Sequence, residues 1–499
     1  MRYVIGIDLG TSSVKLLLVD QNGLVCNEVS KDYPLIHKQS GYSEQNPDLW
    51  VEKTIEALRE LLQQFKGDSQ QIEGMSFSGQ MHGLVLVDQE GKLLRNAILW
   101  NDTRTTEQCE EIYEMAGKER ILMLAKNPAL EGFTLPKLLW VKEHEPEIYR
   151  QIAHFMLPKD YLRYRLTGTI SSELSDAAGT LLLDISKKIW SKEICESVGV
   201  DLAICPPLVK SDSFIGNITD EIAQRTGLPV TAKVFAGGAD NACGAVGAGI
   251  LKDGMTLCSI GTSGVILSYE TASGKDYEGR VHYFNHAKEN AYYAMGVTLS
   301  AGHSLDWYRR IFAGSRSFQE LLSGIEGVPA GANGLLFTPY LVGERTPHAD
   351  SNIRASFIGM DTSHSLPDFT RAILEGITFS LNESLSILRD SGKSITSIVS
   401  IGGGAKNSAW LQMQADIFDA EVSKLANEQG PGMGAAMLAA VGCGWFHSLE
   451  ECAEVFIKTS EVYRPNEENV RKYKELFAIY QQVYSQTKSI NDQLAAYRN

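Results

Sequence analysis

An α/β fold made of two related halves around a shared cleft is what this chain predicts, and three observations carry the prediction. Residues 4–20 read as two apolar strands joined by a tight turn containing Gly10, Thr11 and Ser12. Residues 256–268 repeat that pattern around Gly261, Thr262 and Ser263, 251 positions further along a chain of 499. Several other strand-like runs end in glycine-bounded loops, at 78–83, 237–240 and 402–404, where α/β folds place ligand groups.

Composition narrows the classes. Apolar residues make up 43% and charged residues 21%, enough for a sizeable soluble core. The formal net charge of −15, without a Lys/Arg block, argues against nucleic acid or an anionic membrane as partner. Phosphate binding would then rest on local N–H groups and metal. No apolar leader precedes the first strand, and the apolar run 235–251 is interrupted by Asp240 and Asn241. Eight cysteines, mostly in apolar segments, read as reduced core residues of a cytoplasmic protein; Cys195 and Cys205 come nearest to a spaced pair. Length and repeat together favour two large domains, expected at 1–246 and 247–499.

The opening turn carries chemistry. Its glycine lets backbone approach an anion, Gly10, Thr11 and Ser12 offer N–H groups and hydroxyls, and Asp8 beside them suits Mg²⁺. An ordinary hairpin is the plain alternative, weakened by the second copy. Pro47 and Asp48 then start a helix with Val51, Ile55, Leu58, Leu62 and Phe65 on one face. A strand over 72–77 leads to Met81 and His82, where His82 is either a sugar ligand or merely structural. Trp100, after the strand at 97–99, suits stacking on a sugar face, and Asn101 or Asp102 suits hydroxyl recognition. The alternative is a core tryptophan followed by a helix that Asp102 helps to cap.

At 234–247 a strand runs through Gly237 and Gly238 into Asp240, Asn241 and a helix of small residues. An acid at a strand tip needs a cation or donors, unless Asp240 is a plain helix cap. In the second half a helix is expected near 301–308. A long one opens at Pro367 and Asp368, with Ile373, Ile377, Leu381, Leu385 and Leu388 inward. A strand at 395–401 leads through Gly402, Gly403 and Gly404 into a helix from Ser408, and Gly430 starts another helix of small residues. A last helix begins near Asn466 and carries Val470, Tyr473, Phe477 and Tyr480. The polar loop 339–348 has no assignment from its chemistry.

The paired hairpins resemble those of the actin-like ATPase superfamily. The whole set of segments resembles the FGGY carbohydrate kinases over nearly the full chain. Two family stretches are legible, from Gly132, Phe133 and Thr134 to His144, and from Ser356, Phe357, Ile358 and Gly359 to Glu375. Within that family, Met81 with His82, Trp100 with Asn101 and Asp102, Lys159 with Asp160, Asp240 with Asn241, and Gly343 to His348 look most like the D-xylulose kinase branch. One departure is Ala239, where the family often has a third glycine.

This resemblance implies two duplicated actin-like (ribonuclease H-like) domains with the catalytic cleft between them. It implies ATP and Mg²⁺ as cofactors, a small-molecule sugar as partner, a cytoplasmic setting and a homodimer. Asp240 would be the base, and Asp8, with Asp240, would organise the metal. Met81, His82, Trp100 and Asn241 would line the sugar site. Gly10, Thr11, Ser12 and Lys15, with Gly261, Thr262 and Ser263, would hold phosphates, and Gly403, Gly404 and Asn407 would flank adenosine. Ribulose, gluconate or another polyol remain alternative substrates, and a non-kinase ATPase on the same fold remains an alternative function.

Overall fold

The computed structural model describes residues 1–498. Two mixed sheets organise them. The first contains β1 (Tyr3–Leu9), β2 (Ser13–Asp20), β3 (Val25–Asp32), β4 (Ile72–Gly79), β5 (Phe214–Asn217), β6 (Lys233–Phe235) and β7 (Gly238–Ala239). Its order is β5-β6-β4-β1-β2-β3, with β7 pairing the tip of β4. The second contains β8 (Met255–Ile260), β9 (Gly264–Glu270), β10 (His282–Asn285), β11 (Tyr292–Thr298), β12 (Ser397–Gly402), β13 (Glu421–Leu425) and β14 (Thr459–Tyr463). Its order is β10-β11-β9-β8-β12-β13-β14.

The repeat seen in the sequence is a repeat of topology. In each half an antiparallel hairpin, β1-β2 or β8-β9, is followed after a long excursion by a strand parallel to its first member, β4 or β12. Fully buried β1 and β8 residues such as Val4, Ile5, Cys258 and Ile260 explain the continuous apolar runs, because strands covered on both faces do not alternate. The hairpins differ by one residue: Leu9 pairs Val14 in the first, and Ile260 pairs Gly264 in the second.

The helices follow their periodicity. α1 (Pro47–Gln64) starts where the Asn46 side chain accepts from Asp48 N–H at 3.0 Å, and buries Val51, Ile55 and Leu58. α2 (Thr134–His144) and α3 (Pro158–Thr167) carry the family motif and the Lys159 motif. α4 (Asp240–Gly247) follows β7, and α5 (Gly302–Phe312) follows β11. α6 (Leu366–Asp390) opens with a Ser365/Asp368 capping box and buries Ile373, Ile377, Leu381, Leu385 and Leu388, as its spacing predicts. α7 (Ser408–Phe418), α8 (Gly430–Gly442) and α9 (Glu467–Ala495) complete the set used below. No helix among the described residues is long and apolar enough to cross a membrane.

The halves are joined by glycine contacts. α8 lies late in the chain, yet it packs on β1 and β4 of the first sheet and against α4. A Cβ on Gly434 would fall 1.9 Å from the Cys243 carbonyl oxygen, and one on Gly6 would fall 2.1 Å from that of Gly432. Helix thus meets helix and strand backbone to backbone. The runs of small residues at 240–247 and 430–436 are interface, and at Gly6, Gly247 and Gly434 no larger side chain fits.

Candidate active site

The tip of β4 assembles the chemistry. On one flank β1 places Asp8 opposite Ser78, and on the other β7 pairs Gly238 and Ala239 with Ser78 and Gly79. Asp8 and Asp240 therefore emerge on either side of one strand end. The approach needs Gly237, whose φ is +83° and whose Cβ would sit 2.1 Å from the Phe77 carbonyl oxygen. Ala239 has φ −56°, so no glycine is needed where the family often has one. Its N–H donates to Ser175 Oγ at 3.0 Å, which in turn donates to Glu173 at 2.7 Å, fixing the loop from below.

Charge at this tip is strained electrostatically. Burial pushes the Asp8 carboxyl above its ordinary range, against the pull of the Ser78 hydroxyl and the Lys15 ammonium. Asp240 is pushed up to about 7 by burial and then by the negative charge of Asp8, with the Asn241 backbone N–H, at 2.6 Å, pulling down. Asp240 is the first residue of α4 and Ala239 holds the cap position, so the plain helix-cap reading of Asp240 is not what the fold adopts. Lys15 projects from β2 across from Asp8 and is held by Glu28 at 3.1 Å and Gln429 at 3.2 Å.

A cavity of about 410 Å³ opens beside Asp240. Met81, His82, Trp100 and Asn241 line it, as expected from sequence. Asn241 donates to Met81 Sδ at 3.6 Å. His82 sits at φ +68°, and its Nδ1 donates to the Gly179 carbonyl at 2.6 Å, which leaves Nε2 an acceptor. Burial lowers the His82 pKa to about 3, so the ring is neutral. The family stretch on α2 explains how the loop is held: Thr134 Oγ1 and Lys137 Nζ both donate to the His82 carbonyl, at 3.0 and 3.1 Å. Trp100 is 45% exposed and donates through Nε1 to Thr11 at 2.9 Å, so it is no core tryptophan. Asp102 does not cap the helix after it. That helix, Thr106–Ala116, has Thr105 at its cap, while Asp102 accepts from Arg104 and from Ser43 N–H at 2.6 Å.

A second cavity, of about 680 Å³, opens in the second half. Gly261, Gly403 and Asn407 line it, with Leu305, Leu322 and Trp410 as apolar wall. The hairpin turn is stitched to the start of α5, since Gly302 N–H donates to the Gly261 carbonyl and His303 N–H to that of Thr262. The turn stands between the two cavities: Gly261 faces the larger and Ser263 the smaller.

Two expectations need correction. The N–H groups of Gly10 and Gly261 are spent inside their own turns, on the carbonyls of Ser13 and Ser263. The other backbone N–H groups of the two turns are those of Thr11, Ser12, Thr262 and Ser263. Gly404 does not line the larger cavity; its Cβ position meets the Ile260 side chain at 2.5 Å, so it packs inward.

Sequence reasoning missed Glu131, Phe133, His282, Phe284 and Arg345, all of which line the smaller cavity. They come from both halves: Phe133 and Arg345 lie in stretches that carry the family resemblance but received no site role, and no local pattern marks Glu131, His282 or Phe284. Among the described residues no three His, Cys, Asp or Glu side chains cluster as a metal site. Cys195 and Cys205 are free thiols in mutual contact.

Comparison with known proteins agrees with this geometry. Models of the FGGY family of carbohydrate kinases match the chain, the N-terminal domain over residues 3–247 and the C-terminal domain over 256–443. The chain is 61% identical over 498 residues to a xylulose kinase of Bacillus subtilis, covering 100% of both. In structure it resembles a ligand-bound xylulose kinase from Lactobacillus acidophilus, with TM-score 0.93 and 28% identity over 99% of this chain and 100% of that one. A gluconate kinase from the same organism gives the same TM-score and identity over 99% of both chains, so shape alone does not choose the sugar.

Proposed function

Since the chain belongs to the FGGY family of carbohydrate kinases, we propose that it transfers the γ-phosphoryl group of ATP to the 5-hydroxyl of D-xylulose, giving D-xylulose 5-phosphate. One observation carries the reading: the 261–263 turn has a nucleoside-sized cavity on one side and a sugar-sized cavity holding Asp240 on the other. A phosphate chain lying along that turn would point its terminal group at Asp240. The choice of D-xylulose rests on the 61% identical relative, with Met81, His82 and Asp240 in one cavity.

Asp240 orients the sugar hydroxyl and accepts its proton late, because phosphoryl transfer runs through a loose transition state. A carboxyl held near 7 is a stronger base than an ordinary Asp at about 3.9. Thr11, Ser12, Thr262 and Ser263 hold phosphates by backbone N–H and hydroxyl. Gly403 and Asn407 flank the adenosine. Trp100, Met81, His82 and Asn241 hold the sugar, with neutral His82 Nε2 accepting from a hydroxyl.

The residues fit Mg²⁺. Asp8 and Asp240 are oxygen donors only, and burial with mutual repulsion is the setting a divalent cation relieves. The absence of a three-residue cluster among the described residues suits an ion that takes further ligands from phosphate and water. When bound, the ion would neutralise charge on the phosphates. In this reading 1–246 forms the sugar domain with the first phosphate turn and 247–499 the nucleotide domain, in a cytoplasmic and homodimeric enzyme.

A coupled ADP assay over D-xylulose, D-ribulose, L-ribulose, gluconate and glycerol tests the proposal. D-Xylulose is expected to give the highest kcat/KM. Another acceptor outperforming it by about tenfold, a discrimination one pocket contact can supply, would overturn the substrate assignment. Turnover as fast without sugar as with it would favour an ATPase.

A further inference from the structure

One charged pair in the sugar cavity has no role in the chemistry above. Glu131 comes from the first half, just before α2, and Arg345 from the 339–348 loop of the second. The loop backbone is fixed. Buried Glu344 accepts from the N–H groups of Leu299 and Arg345 at 2.9 and 2.7 Å, and Thr346 N–H donates to the Val297 carbonyl at 3.0 Å. His348 stacks on Tyr484 at 3.7 Å. The Arg345 side chain is not fixed in the same way. It lines the cavity, and among the described residues no carboxylate lies within ion-pair distance of it. Glu131 lines the same cavity and its charge acts on the guanidinium.

Contacts order the cavity from end to end. Asn241 joins Asp240 to Met81; next to Met81 stands His82, whose ring lies 4.5 Å from Phe133. Phe133 lies 5.9 Å from His282, and the Arg345 charge acts on both His82 and His282. Glu131 stands two residues before Phe133 in the chain and the Arg345 charge is felt at His82 and His282, so the pair lies on the aromatic side of the cavity. A five-carbon ketose with its 5-hydroxyl at Asp240 turns its C1 hydroxyl and C2 carbonyl towards that side.

We propose that Arg345 is a specificity-determining residue that reads the ketone end of the sugar, a reading that rests on D-xylulose being the substrate. Its guanidinium, a planar fork of donors without an acceptor, donates to the C2 carbonyl oxygen and the C1 oxygen. Glu131, facing it from the other half, accepts from the C1 hydroxyl. A carbonyl oxygen only accepts and so matches the fork. A C2 alcohol brings a proton that the guanidinium cannot receive. The same contact ties the sugar to both halves at the end opposite the transferred group.

Arg345→Ala and Arg345→Lys test this, with xylitol, which carries a hydroxyl in place of the carbonyl, as competitive inhibitor. The Ala variant is expected to raise the KM for D-xylulose about 30-fold, as expected when a designed polar contact is lost, and the Lys variant less. The KM for ATP should stay within about twofold, and the ratio of xylitol Ki to D-xylulose KM should fall about fivefold or more. An unchanged ratio, a D-xylulose KM close to wild type, or an equal rise in the KM for ATP overturns the inference. Melting temperature controls for folding, and the Lys variant keeps the test sharp if Ala is unstable. Failure of the underlying substrate reading appears separately, as wild-type enzyme preferring another sugar.

Discussion

The two halves share one topology and differ in what stands at equivalent strand tips. In the first, β1 carries Asp8 two residues before its glycine, and β4 ends at Gly79 and leads into Gln80, Met81 and His82. In the second, β8 carries Ser259 two residues before its glycine, and β12 ends in Gly402, Gly403 and Gly404. Side chains at the first half's strand tips load a 410 Å³ space with acid, and residues of both halves close it. Glycines at the second half's strand tips help open a 680 Å³ space whose lining carboxylate, Glu326, comes from elsewhere in the chain. The duplication therefore presents one frame twice, and in the proposed function the residues at its strand tips divide the labour between base and nucleotide.

Removing the acid is the strongest way to break the asymmetry. Asp240→Asn keeps the shape and the hydrogen bond to Asn241, but can neither take the hydroxyl proton nor carry charge. Its kcat is expected to fall about 100-fold or more, the range for a positioned base, with D-xylulose affinity largely kept. The coupled assay, calorimetry and a melting curve read the three quantities. A stable variant with more than a third of wild-type kcat would remove Asp240 from the chemistry.

Filling the glycine side should hurt only the nucleotide. Gly403 lines the larger cavity, and a Cβ there would press on the Ile260 carbonyl oxygen at 3.3 Å, its one close neighbour. Gly403→Val should raise the KM for ATP about tenfold, the cost of moderate overpacking, and leave the KM for D-xylulose unchanged. A matching rise in both constants would mean that the cavities are not separate.

The mildest test is pH. In the proposed mechanism the working form of Asp240 is the carboxylate, and its pKa in the free protein is pushed up to about 7. Activity as kcat/KM should therefore drop about fivefold between pH 7 and 6 and flatten above 8, a limb that Asp240→Asn should lose. Stability runs the other way. The native Asp240 holds its proton to higher pH than the unfolded chain, so its contribution weakens as pH rises from about 4 to 7. A flat activity profile across this window would separate the two halves less sharply than their electrostatics imply.

Much of this was legible in the sequence because it is local. A turn glycine, a capping box such as Ser365 with Asp368, and the spacing of Ile373, Ile377, Leu381 and Leu385 act within a few residues, so each leaves its own pattern. The repeated hairpins, and Asp240 at a strand tip, were legible for the same reason. Other features depend on neighbours brought together across the fold. The turn N–H groups of Gly10 and Gly261 face inward, Gly404 is covered by Ile260, and the mutual charge of Asp8 and Asp240 exists because both flank β4. Arg345 reaches the sugar cavity although 264 positions separate it from Met81 (345 minus 81), because Thr346 pairs with Val297 on a strand bordering that cavity. Hydrogen bonding and helical period are written along the chain, whereas burial, charge coupling and cavity walls are sums over residues that only strand pairing makes neighbours.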